Sequence, residues 1–194
     1  MRTFGILTAA LTLACAGCHS HEVKPVAVDS GTMMPRRSAG ISEARVMLAP
    51  ASGSNVAGSL TFTADGNDVH VQGQLNGLQP GTTHGFHIHE KGNCSAPDGS
   101  SAGGHFNPFG MAHGDPAAGV HHAGDIPNQT ADAQGVAIVD VIVHGISLGT
   151  GGADDVLGRS LVVHRDRDDY ATQPAGNSGA RVACGVITGR RVDY

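Results

Sequence analysis

The sequence predicts an all-β domain, and three features of its composition and patterning lead to that expectation. Short apolar and β-branched runs recur along the chain and are separated by turn clusters. Glycine contributes 29 of the 194 residues, which is about twice the usual share of roughly 7% and suits tight turns better than long helices. Hydrophobic residues make up 40% of the chain, but aromatic residues only 4% and tryptophan none. The core must therefore consist of Val, Ile, Leu and Ala.

Seven runs have the composition or the period-2 alternation of strands. They cover residues 44–49, 56–64, 68–75, 85–89, 136–143, 161–164 and 182–188. Asp-Gly-Asn at 65–67 is a hairpin signal between the second and third runs. Two long segments with little regular pattern, 91–134 and 165–180, interrupt the runs, and loops of that length in a compact domain usually carry function. We therefore expect a β-sandwich or barrel with two long loops.

The first 18 residues have the pattern of an export signal. A charged start precedes an apolar stretch at 4–14 that is too short to span a bilayer. Cleavage at a small-x-small motif around Cys15 and lipid attachment at Cys15 or Cys18 both fit, and small residues before a cysteine favour a lipoprotein. Residues 19–40 lack apolar periodicity and are expected to form a flexible linker to a domain at 41–194. Export would place that domain in a bacterial periplasm or envelope.

Charge and histidine content narrow the function classes. The formal net charge of -5 argues against a nucleic-acid partner. Beyond the first residues no apolar run reaches the length of a membrane span, so membrane contact is expected only through a lipid anchor. Histidine occurs 12 times, as often as lysine and arginine together. Because imidazole is the commonest metal ligand among side chains, metal chemistry is the leading hypothesis.

Seven residues form the candidate metal cluster, and their types and spacing indicate two kinds of site. They are His87, His89, His105, His113, His122, Asp125 and His164. The first two end a predicted strand, and side chains two apart on a strand share a face, so both imidazoles can reach one ion. Three histidines with one carboxylate suit tetrahedral Zn²⁺, whereas four imidazole nitrogens suit Cu²⁺.

Four motifs give the chain its resemblance to the copper/zinc superoxide dismutases. They read Gly-Phe-His-Ile-His-Glu at 85–90, Gly-His-Phe-Asn-Pro at 104–108, His-Ala-Gly-Asp at 122–125 and Gly-Asn-Ser-Gly-Ala-Arg-Val-Ala-Cys-Gly-Val-Ile at 176–187. The likeness extends over about 43–188. It implies an eight-stranded Greek-key β-barrel or sandwich, with metals held on its outside by the long metal-binding and channel loops.

Carried over position by position, the resemblance implies one copper and one zinc per subunit. The copper ligands would be His87, His89, His105 and His164. The zinc ligands would be His105, His113, His122 and Asp125. His105 would bridge the two ions as an imidazolate, and the count agrees, because six histidines and one aspartate give four donors per metal only if one is shared. His121 adjoins His122, but the His-x-x-Asp spacing selects His122.

The resemblance also assigns residues around the metals. Arg181 would lie beside copper and attract the small anionic substrate, and Asp168 would hydrogen-bond one copper ligand, His87, and one zinc ligand, His113. Cys94 and Cys184 match the disulfide of the family. Export leads to the same pairing, because these are the two cysteines outside the leader and an oxidising compartment favours a disulfide.

The implied activity converts superoxide to O₂ and H₂O₂ by alternate reduction and reoxidation of copper, with His105 delivering a proton and zinc playing a structural role. Antioxidant defence of the cell envelope would follow, by a monomer or a homodimer. The alternative is a copper/zinc carrier or buffer on the same barrel, but four copper nitrogens and Arg181 favour turnover. The chain departs from its relatives at Ala175, where many have threonine, and in a short 165–175 loop without their steering residues.

Overall fold

The computed structural model describes residues 41–189, which contain nine strands and one 3₁₀ turn at Ser100–Ala102. The strands are β1 Glu43–Pro50, β2 Ala57–Asp65, β3 Asp68–Asn76, β4 Thr83–His89, β5 Asp125–Thr130, β6 Ala137–Val143, β7 Ser160–His164, β8 Arg181–Val186 and β9 Thr188–Gly189. The expected signal at 1–18 and linker at 19–40 lie outside the described residues. From 41 to 189 no helix has the length and apolar character needed to cross a membrane.

Eight strands form one antiparallel sheet that curls into a nearly closed barrel, as predicted. The order across the sheet is β5-β4-β7-β8-β1-β2-β3-β6, and β9 pairs with β1. In this order β6 returns beside β3 and β7 returns beside β4. Both returns are long crossover connections, as in a Greek-key topology. The predicted fold class is confirmed.

Strands β1, β2, β3 and β6 bury one face and expose the other. In β1 the side chains of Ala44, Val46 and Leu48 enter the core while the residues between them face water. Phe62 on β2 and Val71 on β3 occupy the same interior and are fully buried. This alternation follows from the period of two in strand side chains, and it is the signal that made these strands predictable.

Strands β4 and β7 differ because nearly every residue in them is buried. Phe86 and Ile88 of β4 point into the core, as does Val163 of β7. The residues between them, including His87 and His89, point to the outside of the barrel and are nevertheless buried, because the long loops cover that face. The outer face of these two strands is thus covered by loops, and histidines lie on it.

The sequence prediction missed β5 and placed the end of the last strand incorrectly. The segment Asp125–Thr130 was expected to be loop, but it pairs with β4. Its alternation is hidden by Pro127 and by polar neighbours, and proline is tolerated because β5 is the edge of the sheet. The single strand expected at 182–188 is divided at Ile187, because the chain leaves the β7 side and pairs with the start of β1.

Candidate metal centre

Four buried histidines meet on the outside of the barrel and form what we call the four-histidine group. Its members are His87, His89, His105 and His164, and one ring nitrogen from each lies within 4.8 Å of the others. β4 supplies the first two and the end of β7 supplies the last, and these strands are neighbours. His105 comes from the first long loop, where its backbone forms a bridge with His89. His89 Nε2 and His164 Nε2 are 3.3 Å apart.

Backbone pairing with β4 explains how a loop residue reaches this position. The Phe106 N–H donates to the Ile88 carbonyl at 2.8 Å, and the Ile88 N–H donates to the Gly124 carbonyl at 2.8 Å. The Gly124 N–H in turn donates to the Phe106 carbonyl at 2.8 Å. A Cβ at Gly124 would collide with the Ile88 carbonyl oxygen, so only glycine allows this approach. The three-way pairing fixes His105 and the start of β5 together.

The second group consists of three histidines and an aspartate and adjoins the first. His105, His113, His122 and Asp125 each offer one atom within 4.8 Å of the others. The Asp125 carboxylate is central: Oδ1 lies 2.8 Å from His105 Nδ1 and 3.4 Å from His122 Nδ1, and Oδ2 lies 3.0 Å from His113 Nδ1. His105 is thus a member of both groups, with Nδ1 on the side of the second. The structure brings together every residue predicted for the two sites.

Asp168 lies between the two groups and contacts one histidine of each. Its Oδ2 is 2.7 Å from His87 Nε2 and its Oδ1 is 2.9 Å from His113 Nε2. All three side chains are fully buried. Because the carboxylate accepts hydrogen bonds from the outer N–H of each ring, the inner nitrogen of each carries a lone pair. Both rings therefore present ligand nitrogens, Nδ1 in each case, to their groups.

Backbone carbonyls fix two further rings of the four-histidine group, those of His89 and His164, in the same way. His89 Nδ1 lies 2.9 Å from the Gly103 carbonyl, and His164 Nδ1 lies 3.3 Å from the Gly179 carbonyl. Donation through Nδ1 leaves the lone pair on Nε2, the atom that faces the group. The two long loops supply these carbonyls, so the loops orient the rings as well as covering them.

Three buried ring nitrogens in the described residues have no hydrogen-bond partner, and all three belong to these groups. They are His87 Nδ1, His105 Nε2 and His113 Nδ1. A buried polar atom left unpaired costs about 1–3 kcal/mol, so three at one place call for a ligand. Imidazole nitrogens with one carboxylate are donors that suit copper and zinc. The donor set of this structure therefore fits both metals.

Electrostatics keep the ligands in the protonation states that bind metal. Burial lowers the pKa of His87, His89 and His164 well below the ordinary value, and the neighbouring histidines lower it further. These rings are therefore neutral at pH 7. Burial alone would raise the pKa of Asp125, but hydrogen bonds from His105 and His122 outweigh it, and the pKa lies well below its usual range. The carboxylate is thus ionised.

A pocket of about 420 Å³ opens onto the four-histidine group. Arg181 lines it together with Pro174 and Ala175 of the second long loop. The guanidinium is held in place because it donates to the Gly99 carbonyl at 2.7 Å and to the Gly103 carbonyl at 2.6 Å. Burial lowers the pKa of Arg181, but a guanidinium remains charged in proteins. The pocket therefore presents a fixed positive charge beside the histidines.

The predicted disulfide is present and ties the first long loop to the barrel. Cys94 is joined to Cys184 of β8, at a sequence separation of 90 residues. Around it Ala102 and Val162 form a small apolar cluster with the two cysteines. Because Arg181 lies three residues before Cys184, the bond holds the loop beside the strand that carries the arginine.

Several residues that support the site were not anticipated. Asn128 and Gln173 pair their side-chain amides with the backbones of Asp168 and His113. Neither lies in a pattern that marks function, since single amides in loops and edge strands are common. His84 is outside both groups, and its Nδ1 contacts the His164 carbonyl at 3.0 Å.

Gly176 is a position where an added methyl group is expected to damage the second group. Its φ is +62°, and a Cβ there would overlap Asp168 Oδ1 and lie 2.6 Å from His113 Nε2. Gly176→Ala should therefore break the Asp168–His113 contact. Loss of such an outer partner costs about 10- to 100-fold in metal affinity, which competition with a chromophoric zinc chelator would measure. Gly66→Ala is the matched control, because Gly66 has the same φ of +62° with open space around it. Equal zinc affinities in the two variants would contradict the prediction.

Comparisons with known proteins agree with the geometry. The family described as copper/zinc superoxide dismutase (SODC) matches residues 56–187. The chain is 45% identical over 130 residues to the superoxide dismutase-like protein YojM of Bacillus subtilis (strain 168), which covers 64% of this chain and 64% of the relative. It is 36% identical over 174 residues to an extracellular Cu-Zn superoxide dismutase of Brugia pahangi, covering 84% and 85% of the two chains.

Solved structures give the same result. A crystal structure of a SOD-like protein from Bacillus subtilis superposes with a TM-score of 0.66 at 40% sequence identity, covering 73% of this chain and 95% of the other. The sequence likeness and the shared fold extend over the strands and loops that carry both groups. The chain therefore belongs to the copper/zinc superoxide dismutase family.

Proposed function

We propose that the protein is a superoxide dismutase that holds copper in the four-histidine group and zinc in the group centred on Asp125. The observation that carries the proposal is the position of His105. Its Nδ1 lies 2.8 Å from Asp125 Oδ1, and its buried Nε2 has no hydrogen-bond partner. One ring nitrogen of His105 therefore lies on the side of each group, and Nε2 has no hydrogen-bond partner that would compete with a ligand.

Copper supplies, when bound, the one-electron chemistry that turns one superoxide into O₂ and, with two protons, another into H₂O₂. The residues of the chain handle the anion and a proton. The unpaired His105 Nε2 can hold one proton for the second superoxide, while the other comes from water. The Asp125 contact at Nδ1 keeps the ring in place during the transfer.

Arg181 accounts for the attraction of an anion to an acidic protein. The net charge of the chain is -5, but a cleft with one fixed charge in low-dielectric walls focuses the local field. The guanidinium lines the pocket with His89 and His164, and its two hydrogen bonds to loop carbonyls aim it there. Superoxide would meet this charge before it reaches the histidines.

Replacing Arg181 tests the proposed activity together with the electrostatic attraction of superoxide into the pocket. Fields of this kind raise on-rates by 10- to 1000-fold, so we expect Arg181→Ala to lower kcat/KM for superoxide about tenfold at low salt, and to flatten its salt dependence. Arg45→Ala removes an exposed arginine of β1 that pairs with Glu43 and does not line the pocket, and this variant should behave as wild type.

The outcomes of this experiment separate three cases. A wild-type rate and salt dependence in Arg181→Ala would contradict the steering role. Wild-type protein that binds both metals without turnover would instead favour the copper/zinc carrier. Turnover in the wild type with a selective loss in Arg181→Ala supports the dismutase.

We also propose that the protein works outside the reducing cytosol. The Cys94–Cys184 bond is of a kind that persists in oxidising compartments, and the Brugia pahangi relative is named as an extracellular enzyme. Antioxidant defence at the cell envelope is consistent with this location. Lipid attachment at Cys15 or Cys18 remains a prediction from the sequence, in a segment outside the described residues.

A further inference from the structure

Gln173, in the second long loop, pairs its side-chain amide with both backbone groups of one residue in the first long loop. Its Oε1 accepts from the His113 N–H at 2.9 Å, and its Nε2 donates to the His113 carbonyl at 2.9 Å. The partners are 60 residues apart in sequence. An amide that satisfies the donor and the acceptor of the same residue does what a neighbouring strand would do, and it fixes the backbone of that residue at this point.

The backbone of His113 needs such a contact more than the backbones of most other members of the two groups. His87, His89 and His164 lie in strands, and Asp125 begins one, so sheet hydrogen bonds set their positions. His113 lies in a stretch without strand or helix. Its position therefore depends on side-chain contacts with the rest of the protein.

Besides Asp125 at Nδ1, the side chains that contact His113 come from one short part of the second long loop, and they contact both its ring and its backbone. Asp168 Oδ1 accepts a hydrogen bond from Nε2 of the His113 ring at 2.9 Å, and the Gln173 amide is hydrogen-bonded to the His113 backbone. Asp168 is itself fixed, because the Asn128 amide accepts from its N–H at 3.0 Å and donates to its carbonyl at 2.9 Å. The imidazole of His113 is fully buried within this arrangement.

We propose that Gln173 is a positioning residue for the metal ligand His113, so that its amide sets the zinc affinity of the second group. The inference rests on the proposed function, because it requires His113 to bind zinc. Gln173 directly precedes Pro174 and Ala175, which line the pocket. The two hydrogen bonds between Gln173 and His113 thus also connect the pocket wall to the proposed zinc ligand.

Two variants separate the contributions of the two hydrogen bonds between Gln173 and His113. Gln173→Ala removes both hydrogen bonds, and Gln173→Glu keeps the acceptor for the His113 N–H but loses the donor to the carbonyl. We expect Gln173→Ala to weaken Zn²⁺ binding about tenfold, with Gln173→Glu intermediate, in competition with a chromophoric chelator. The visible absorption bands of Co²⁺ bound in place of zinc should shift and broaden in the same order. Copper affinity should stay at the wild-type value, which a general loss of structure would not allow.

Control variants separate failure of this inference from failure of the proposed function. Gln72→Ala removes an exposed amide on β3 that contacts Asp140 at 3.4 Å, and it should bind zinc as wild type does. His113→Ala should bind zinc far more weakly. If His113→Ala binds zinc normally, the proposed zinc site is wrong. Suppose instead that His113→Ala loses zinc affinity. If Gln173→Ala then has the zinc affinity of the wild type, or loses copper and zinc affinity equally, the role of Gln173 is overturned and the proposed zinc site stands.

Discussion

Replacing His105 with alanine is expected to disable both metal groups at once and to abolish superoxide disproportionation. His105 is the one residue that belongs to both groups, so its loss removes a donor from each. Loss of an outer partner of a metal ligand already lowers metal affinity about 10- to 100-fold, and loss of a direct ligand should lower it more. We therefore expect Zn²⁺ affinity to fall by more than about 100-fold, with copper bound more loosely and turnover lost.

His121→Ala is the control for this variant. His121 is buried only in part and its Nδ1 contacts the His122 carbonyl at 2.7 Å, but it belongs to neither group. It should keep wild-type metal content and activity. Metal analysis after dialysis against a weak chelator, with an activity assay on the same samples, measures both effects. A His105→Ala protein that retained both metals and turned over normally would rule out the shared ligand.

Removing the disulfide is expected to give the largest loss of stability. Cys94 and Cys184 close a loop with a sequence separation of 90 residues, for which the chain-entropy model gives about 4.6 kcal/mol. For a domain near 150 residues, a loss of that size lowers Tm by roughly 9–18 °C. Denaturant unfolding of the metal-free Cys94→Ser/Cys184→Ser protein would measure the free energy of unfolding directly.

The disulfide should also matter for the site, because the loop that it fastens supplies carbonyls to the histidines and to Arg181. Gly103 accepts from both His89 and Arg181. Wild-type protein treated with a reductant is the control for the serine side chains and should lose the same free energy. An unfolding free energy equal to that of the oxidised wild type would show that the covalent bond contributes nothing measurable.

The parts of the fold that could be predicted are those in which one local pattern decides the structure. Alternation placed β1, β2, β3 and β6, since each has one face in the core and one in water. The His-x-His pair was interpretable for the same reason, because strand geometry puts both rings on one side. β5 was missed since Pro127 and its polar neighbours belong to an edge strand whose only strand partner is β4.

The candidate site divides in a similar way. Its seven ligand candidates were found because their residue types and spacing are distinctive. The contacts that hold them were not, apart from Asp168, because they join backbone groups to side chains far away in sequence. Gln173 reaches His113 across 60 residues, and Asn128 reaches Asp168 across 40. Only the folded loops bring such partners together.

The most direct test is superoxide disproportionation by the full chain, with copper and zinc measured on the same sample. Superoxide dismutases are among the enzymes known to reach the diffusional ceiling of about 10⁸–10⁹ M⁻¹ s⁻¹. We expect one copper, one zinc and a second-order rate constant near that ceiling. A protein that held one of each metal and disproportionated superoxide no faster than the same copper bound to a chelator would contradict the dismutase function.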